Sequence, residues 1–175
     1  LRIAAGEGLS TAQADIPQNG HSIELRICAE DATADFRPAI GDILLLDEPS
    51  GPGVRVDSGI LSGGKVTTGF DPMLSKLIVQ GADRPEAIAR ARQAVRNYVI
   101  LGVTTNTGYL DAILAHPDFA AGNFSTSFLG EQAQTLTAPG EDVSHLLIAA
   151  AALSDERLVA EVMQIPEMHR KMGGR

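Results

Sequence analysis

The sequence holds a single cysteine, so Cys28 has no partner for an internal disulfide, and a reducing compartment is the simpler reading. Basic residues are also in short supply. Fourteen Lys and Arg stand against 22 Asp and Glu, a net charge of −8. A phosphate backbone needs a basic footprint, so nucleic acid is excluded as a partner. Long apolar runs are missing as well: the longest, Leu146 to Leu153, has eight residues and is half alanine. A bilayer span needs roughly 20, so no membrane-crossing segment is expected.

Several catalytic signatures are absent too. There is no GxxxxGKS or GxxxxGKT phosphate loop, and the glycines of SGPG and LSGG read as hairpin turns with no helix behind them. His21, His116, His145 and His169 are widely spaced and lack the pattern of a zinc site, so no metal site is expected. No GxSxG elbow supports a serine hydrolase. A freestanding enzyme is not visible in these residues.

What is present fits one domain with a sizeable core and an appendage: 175 residues, 44% hydrophobic and 21% charged. Basic residues are scattered apart from Arg84, Arg90, Arg92 and Arg96. The chain starts at Leu1 rather than Met, and LRIAAG reads as the end of a helix, so the expectation is a piece of something longer. Residues 1–19 read as that truncated helix and a connection rich in breakers.

Residues 20 to about 70 read as strands and turns. HSIELRICAE alternates, with Ile23, Leu25 and Ile27 on one face and Ser22, Glu24, Arg26 and Cys28 on the other. IGDILLLDEP reads as a second strand, SGPGVRVDSG as a turn and short strand, and GGKVTTGFDPMLSKLIVQG as one or two more. Pro72 biases Asp71 toward an extended backbone. From Asp83 the period becomes helical. Asp83 followed by Glu86 resembles a capping box, Ile88, Ala91, Val95 and Tyr98 share a face, and Gly102 reads as the helix stop. Thr107 to His116 reads as another helix. QTLTAPGED reads as a linker, followed by helices at 143–153 and 155–164. Sheet first and helices after is an α+β arrangement.

The strand face carrying Glu24, Arg26 and Cys28, followed by Glu30 and Asp31, is the most chemical feature of the chain. An arginine held rigidly among carboxylates can be aimed at an oxyanion, or the face can be a solvated set of ion pairs. Asp71 and Lys76 pose the same choice. Pattern alone leaves both readings open.

GHSIELRICAED, SGPGVRVDSG, FDPMLSKLIVQGADRPEAIARARQAV and LGVTTN occur in that order, and LAHPDFAAGNFSTSFL closes the set. Together they resemble the C-terminal subdomain of biotin carboxylases, which is found in acyl-CoA carboxylases and pyruvate carboxylase. The last segment leans toward the propionyl- and methylcrotonyl-type subunits. The resemblance implies an α+β fold, mostly antiparallel sheet with packed helices, over residues 20–130. It makes residues 131–175 a helical extension leading toward a domain that contacts the carboxyltransferase.

The resemblance further implies that Arg26 is catalytic and binds substrate, facing the ureido ring of biotin. Asp71 lies close to the biotin pocket, and Arg55 sits at a dimer interface. The implied cofactors are biotin, on a separate carrier domain, and ATP with Mg or Mn, bound by a region upstream of this chain. The implied partners are the biotin carboxyl carrier domain, the rest of the biotin carboxylase, the carboxyltransferase subunit, and a second copy in a homodimer. The implied location is the bacterial cytoplasm or the mitochondrial matrix. Two positions depart from the family pattern: Cys28 replaces an Asn, and Phe70 replaces a Tyr. On this reading the chain alone is inactive as a ligase, and the alternative is a dimerisation or docking module, or a degenerate scaffold.

Overall fold

The alternation in HSIELRICAE becomes strand β1 (His21–Cys28), with Ile23, Leu25 and Ile27 buried and Ser22, Glu24 and Arg26 exposed. This is seen in a computed structural model that describes residues 1–137. After β1 come two short pairing segments, β2 (Glu30–Asp31) and β3 (Arg37–Pro38). Next are β4 (Gly41–Asp42), β5 (Leu45–Asp47), β6 (Val54–Ser58), β7 (Lys65–Val66) and the long β8 (Met73–Gly81). Helix α1 (Arg84–Asn97) follows, then β9 (Val99–Leu101) and α2 (Thr107–Ala115). Three short helices complete the described chain: α3 (Pro117–Ala121), α4 (Phe128–Glu131) and α5 (Ala133–Leu136). The α+β expectation holds, and every strand pair is antiparallel.

The central sheet has the order β1-β8-β6. Its inner face, from Ile23, Leu25, Ile27, Leu77 and Val79, packs on Ala87, Ile88, Ala91, Ala94 and Val95 of α1. Ile27, Leu77 and Val79 have no exposed surface, and each such side chain stabilises the fold by about 1.5–3 kcal/mol relative to exposure. Alanines on α1 let the helix approach the sheet closely. Its start is fixed as the sequence indicated: Asp83 accepts a hydrogen bond from the Glu86 amide at 2.9 Å, and the Glu86 carboxylate accepts one from the Ala82 amide at 2.6 Å. Such a cap contributes about 1 kcal/mol. Ala29, Ile43, Val66 and Leu74 form a second, smaller core.

Three local expectations are corrected. IGDILLLDEP is not one strand: Ile43 turns into the second core at 1% exposure while Leu44 is 73% exposed, which splits the run into β4 and β5. Gly102 does not stop a helix. Helix α1 ends at Asn97, and Gly102 follows β9 with φ of 105°, where a Cβ would collide with the Asp42 carbonyl oxygen. Residues 134–136, read as the start of a linker, form part of α5 and bury Leu136 at 4% exposure. Residues 1–20 are exposed, with one helical turn closed by the Ala5 amide on the Leu1 carbonyl at 2.9 Å and a short 3-10 turn at Gln13–Asp15. The helices expected at 143–153 and 155–164 lie outside the described residues.

Candidate functional site

The outer face of the central sheet collects the residues singled out in the sequence. Arg26 stands directly across from Lys76 on β8, and Lys76 in turn faces Asp57 on β6. Charges on this face are largely paired. Lys76 meets Glu24 at 3.4 Å, and Arg55 grips Asp57 through two hydrogen bonds of 2.8 and 2.7 Å. The Arg55 hydrogen bond is the main reason that Asp57 is held below the usual carboxylate range. Arg26 is the exception: it is exposed, and among the described residues its guanidinium has no carboxylate partner.

The backbone beneath Arg26 is held on both edges. One edge pairs with β8 from His21 through Cys28, with a register irregularity between Ile27 and Cys28. Within a strand, the N–H and C=O of a given residue point to the same edge, and successive residues alternate. The carbonyl of Arg26 and the amide of Cys28 therefore face away from β8, and both are taken by one side chain. Asn106 accepts from the Cys28 amide at 2.9 Å and donates to the Arg26 carbonyl at 3.1 Å. Its own amide donates to the Cys28 carbonyl at 3.1 Å. Sequence reasoning passed over Asn106, which lies in LGVTTN just before a helix; a buried Asn that close to the Arg-bearing strand is recognised only from the fold.

Asp71 reaches the same end of β1. Its carboxylate accepts from the Met73 amide at 3.0 Å, closing the turn at Pro72, and the Pro72 carbonyl accepts from the Ala29 amide at 2.9 Å. Cys28 reports the electrostatics of this corner. Its thiol is pushed up to about 11 by burial first, then by Glu30 and Asp71, with Arg26 pulling the other way. It is therefore an inert thiol at neutral pH. Arg26 and Asp71 thus act on a common neighbour, whereas Arg55 stands apart on β6, largely exposed. Phe70, where a hydroxyl is missing, is 88% exposed.

The remaining candidates serve the fold. Of the clustered arginines, Arg90 pairs with Glu86 at 2.7 Å, and Arg92 and Arg96 share Asp111. Arg84 donates to the carbonyls of Phe119 and Ala120. His116 caps α3 by accepting from the Asp118 amide at 3.2 Å, and His21 lies 3.0 Å from Arg84. His145 and His169 lie outside the described residues. Among the described residues no cluster of His, Cys, Asp and Glu is disposed to hold a metal ion, and no helix is long and apolar enough to cross a membrane.

Comparison with known proteins gives a consistent match. The family model described as the biotin carboxylase C-terminal domain matches residues 24–131. The chain is 40% identical over 178 residues to the mitochondrial propionyl-CoA carboxylase alpha chain of Sus scrofa, covering 97% of this chain and 24% of that protein. It is 44% identical over 131 residues to the biotin carboxylase of Nostoc sp., covering 75% of this chain and 29% of the other. Among solved structures, the biotin carboxylase domain dimer of the Hydrogenobacter thermophilus 2-oxoglutarate carboxylase, in complex with MgADP, ADP and bicarbonate, superposes with a TM-score of 0.75. That match has 40% identity and covers 79% of this chain and 31% of that one. The chain thus spans about a quarter to a third of the length of these relatives.

Proposed function

The chain belongs to the biotin carboxylase C-terminal domain family, and from that premise we propose that it forms one wall of a biotin carboxylation site in which Arg26 stabilises negative charge. The ureido nitrogen of biotin is a very poor acid, so its attack on an activated carbonyl needs the charge that gathers on the ureido oxygen to be met. Arg26 donates to that oxygen from a fixed position, without reorganising as the charge develops. One observation carries this reading: the guanidinium is exposed and uncommitted on a face where Glu24, Lys76, Arg55 and Asp57 are already paired. Asp71, at the same corner, lines the edge of the biotin pocket.

ATP and its Mg or Mn ion belong to a region outside this chain. The donor set here fits neither: the glycines at 51 and 53 lead into a strand rather than a helix, and no acidic cluster is disposed to take a divalent cation among the described residues. Biotin arrives on a carrier domain, and the carboxylated product goes to a carboxyltransferase partner. Arg55, exposed beside Asp57, belongs to the contact between two copies of the enzyme. The setting is the bacterial cytoplasm or the mitochondrial matrix.

The test is Arg26→Ala and Arg26→Lys in the complete biotin carboxylase carrying this chain, assayed for ATP-dependent carboxylation of free biotin. The expected loss for Arg26→Ala is about 10²–10³-fold in kcat, with subunit assembly intact by sedimentation. A wild-type rate would overturn the reading, and loss of assembly in its place would favour a docking role. The 175-residue chain by itself is expected to show no such carboxylation.

A further inference from the structure

We propose that Asn106 is the positioning residue for Arg26, fixing the register and direction of β1 at the point where the guanidinium leaves it. This rests on the reading of Arg26 as the charge stabiliser. Asn106 stands at the N-cap of α2, where an Asn ordinarily accepts from its own helix, yet it makes no such cap bond. Its carbonyl oxygen and amide nitrogen both go to β1, to the Cys28 amide and the Arg26 carbonyl, 78 and 80 residues away in sequence. The residue is 7% exposed, so these bonds are made out of water's reach. A local cap is given up for a distant contact, and the contact falls on the two residues that bracket Ile27.

The place matters because regular pairing fails there. The ladder between β1 and β8 shifts between Ile27 and Cys28, and an irregularity of that kind bends a strand and locally interrupts its ladder. A slip of one residue would turn Arg26 from the outer face to the core face. Asn106 stands in for a neighbouring strand across the irregular stretch, supplying one acceptor and one donor where a strand would supply them.

The experiment is a double-mutant cycle in the complete biotin carboxylase, using Asn106→Asp, Asn106→Leu and Arg26→Ala, singly and combined. Asn106→Asp keeps the acceptor for the Cys28 amide but sets a carboxylate against the Arg26 carbonyl. In the otherwise native enzyme, either Asn106 variant is expected to lower kcat for biotin carboxylation about 10-fold to 100-fold, because a misplaced group loses its transition-state contact. In the Arg26→Ala background the same substitutions lower it no further, since the group they aim is gone. Equal losses in both backgrounds, or none in either, would overturn the inference while leaving Arg26 catalytic. A normal rate for Arg26→Ala alone would instead overturn the underlying reading. Circular dichroism melts accompany each variant; if neither Asn106 variant folds, the residue is structural and the inference fails.

Discussion

Lys76 faces Arg26 directly across the ladder between β1 and β8 but gives its charge to Glu24, 3.4 Å away. Two cations side by side repel, and the Glu24 carboxylate relieves part of that repulsion while leaving Arg26 uncommitted. The arrangement keeps an arginine available in a crowded charged face. If that availability is the point, a carboxylate at position 76 should remove it. Lys76→Glu places an acceptor opposite Arg26, and kcat for biotin carboxylation is expected to fall by about 10²-fold, close to the loss from removing such a donor altogether. Lys76→Arg, which keeps a cation for Glu24 and so leaves Arg26 free, should cost far less. Similar rates for the two variants would count against the idea.

Cys28 provides a chemical reading of the same corner. With its thiol pushed up to about 11 from 9.0, the thiolate fraction at mildly alkaline pH is about 100-fold below that of an ordinary cysteine. Iodoacetamide labelling followed by mass spectrometry should therefore be slow in the native chain and fast in urea. Removing the carboxylate by Asp71→Asn should move the labelling midpoint to lower pH, and Arg26→Ala should move it higher. Midpoints unmoved by both changes would mean that Asp71 and Arg26 do not share this corner.

A third expectation concerns the joint between α1 and α2. Burial pushes the Asp111 carboxyl up, but hydrogen bonds from Arg92 at 2.8 Å and Arg96 at 2.9 Å outweigh it, and the group is held below the usual carboxylate range. A carboxyl whose folded value is depressed stabilises the fold above its unfolded value, and that contribution disappears as pH falls through the folded value. Asp111→Asn is expected to cost about 1–2 kcal/mol at neutral pH. Urea titrations of the two proteins should then converge as pH drops below the ordinary value of 3.8. A gap that stays constant through that window would assign the loss to packing.

Much of this fold could be read from the chain because its signals are local. Alternation from His21 to Cys28 and the Asp83–Glu86 start of α1 depend on near neighbours, and both appear as expected. Gly102 was legible as a breaker but not as the breaker of a particular element, since positive φ ends helices and strand connections alike. The run from Ile40 to Pro49 misled because two cores, not one, compete for its apolar residues. Of the candidate site, Arg26 and Asp71 could be named from motifs. Asn106 could not: a polar residue ahead of a helix looks like a cap, and only tertiary structure reveals that its side chain is engaged elsewhere.

Both borders of β1 are completed by segments made long after it. Its ladder partner begins at Met73, and its other border waits for Asn106. During translation the strand emerges before all of them: Ile23, Leu25 and Ile27 stay without cover until β8 and α1 are made, and the Asn106 border stays open while some 80 further residues are added. Such long-range closure slows folding and leaves a sticky intermediate in the meantime. A ribosome that stalls before position 106 would release a chain whose most chemical strand is finished in covalent terms and still unable to settle.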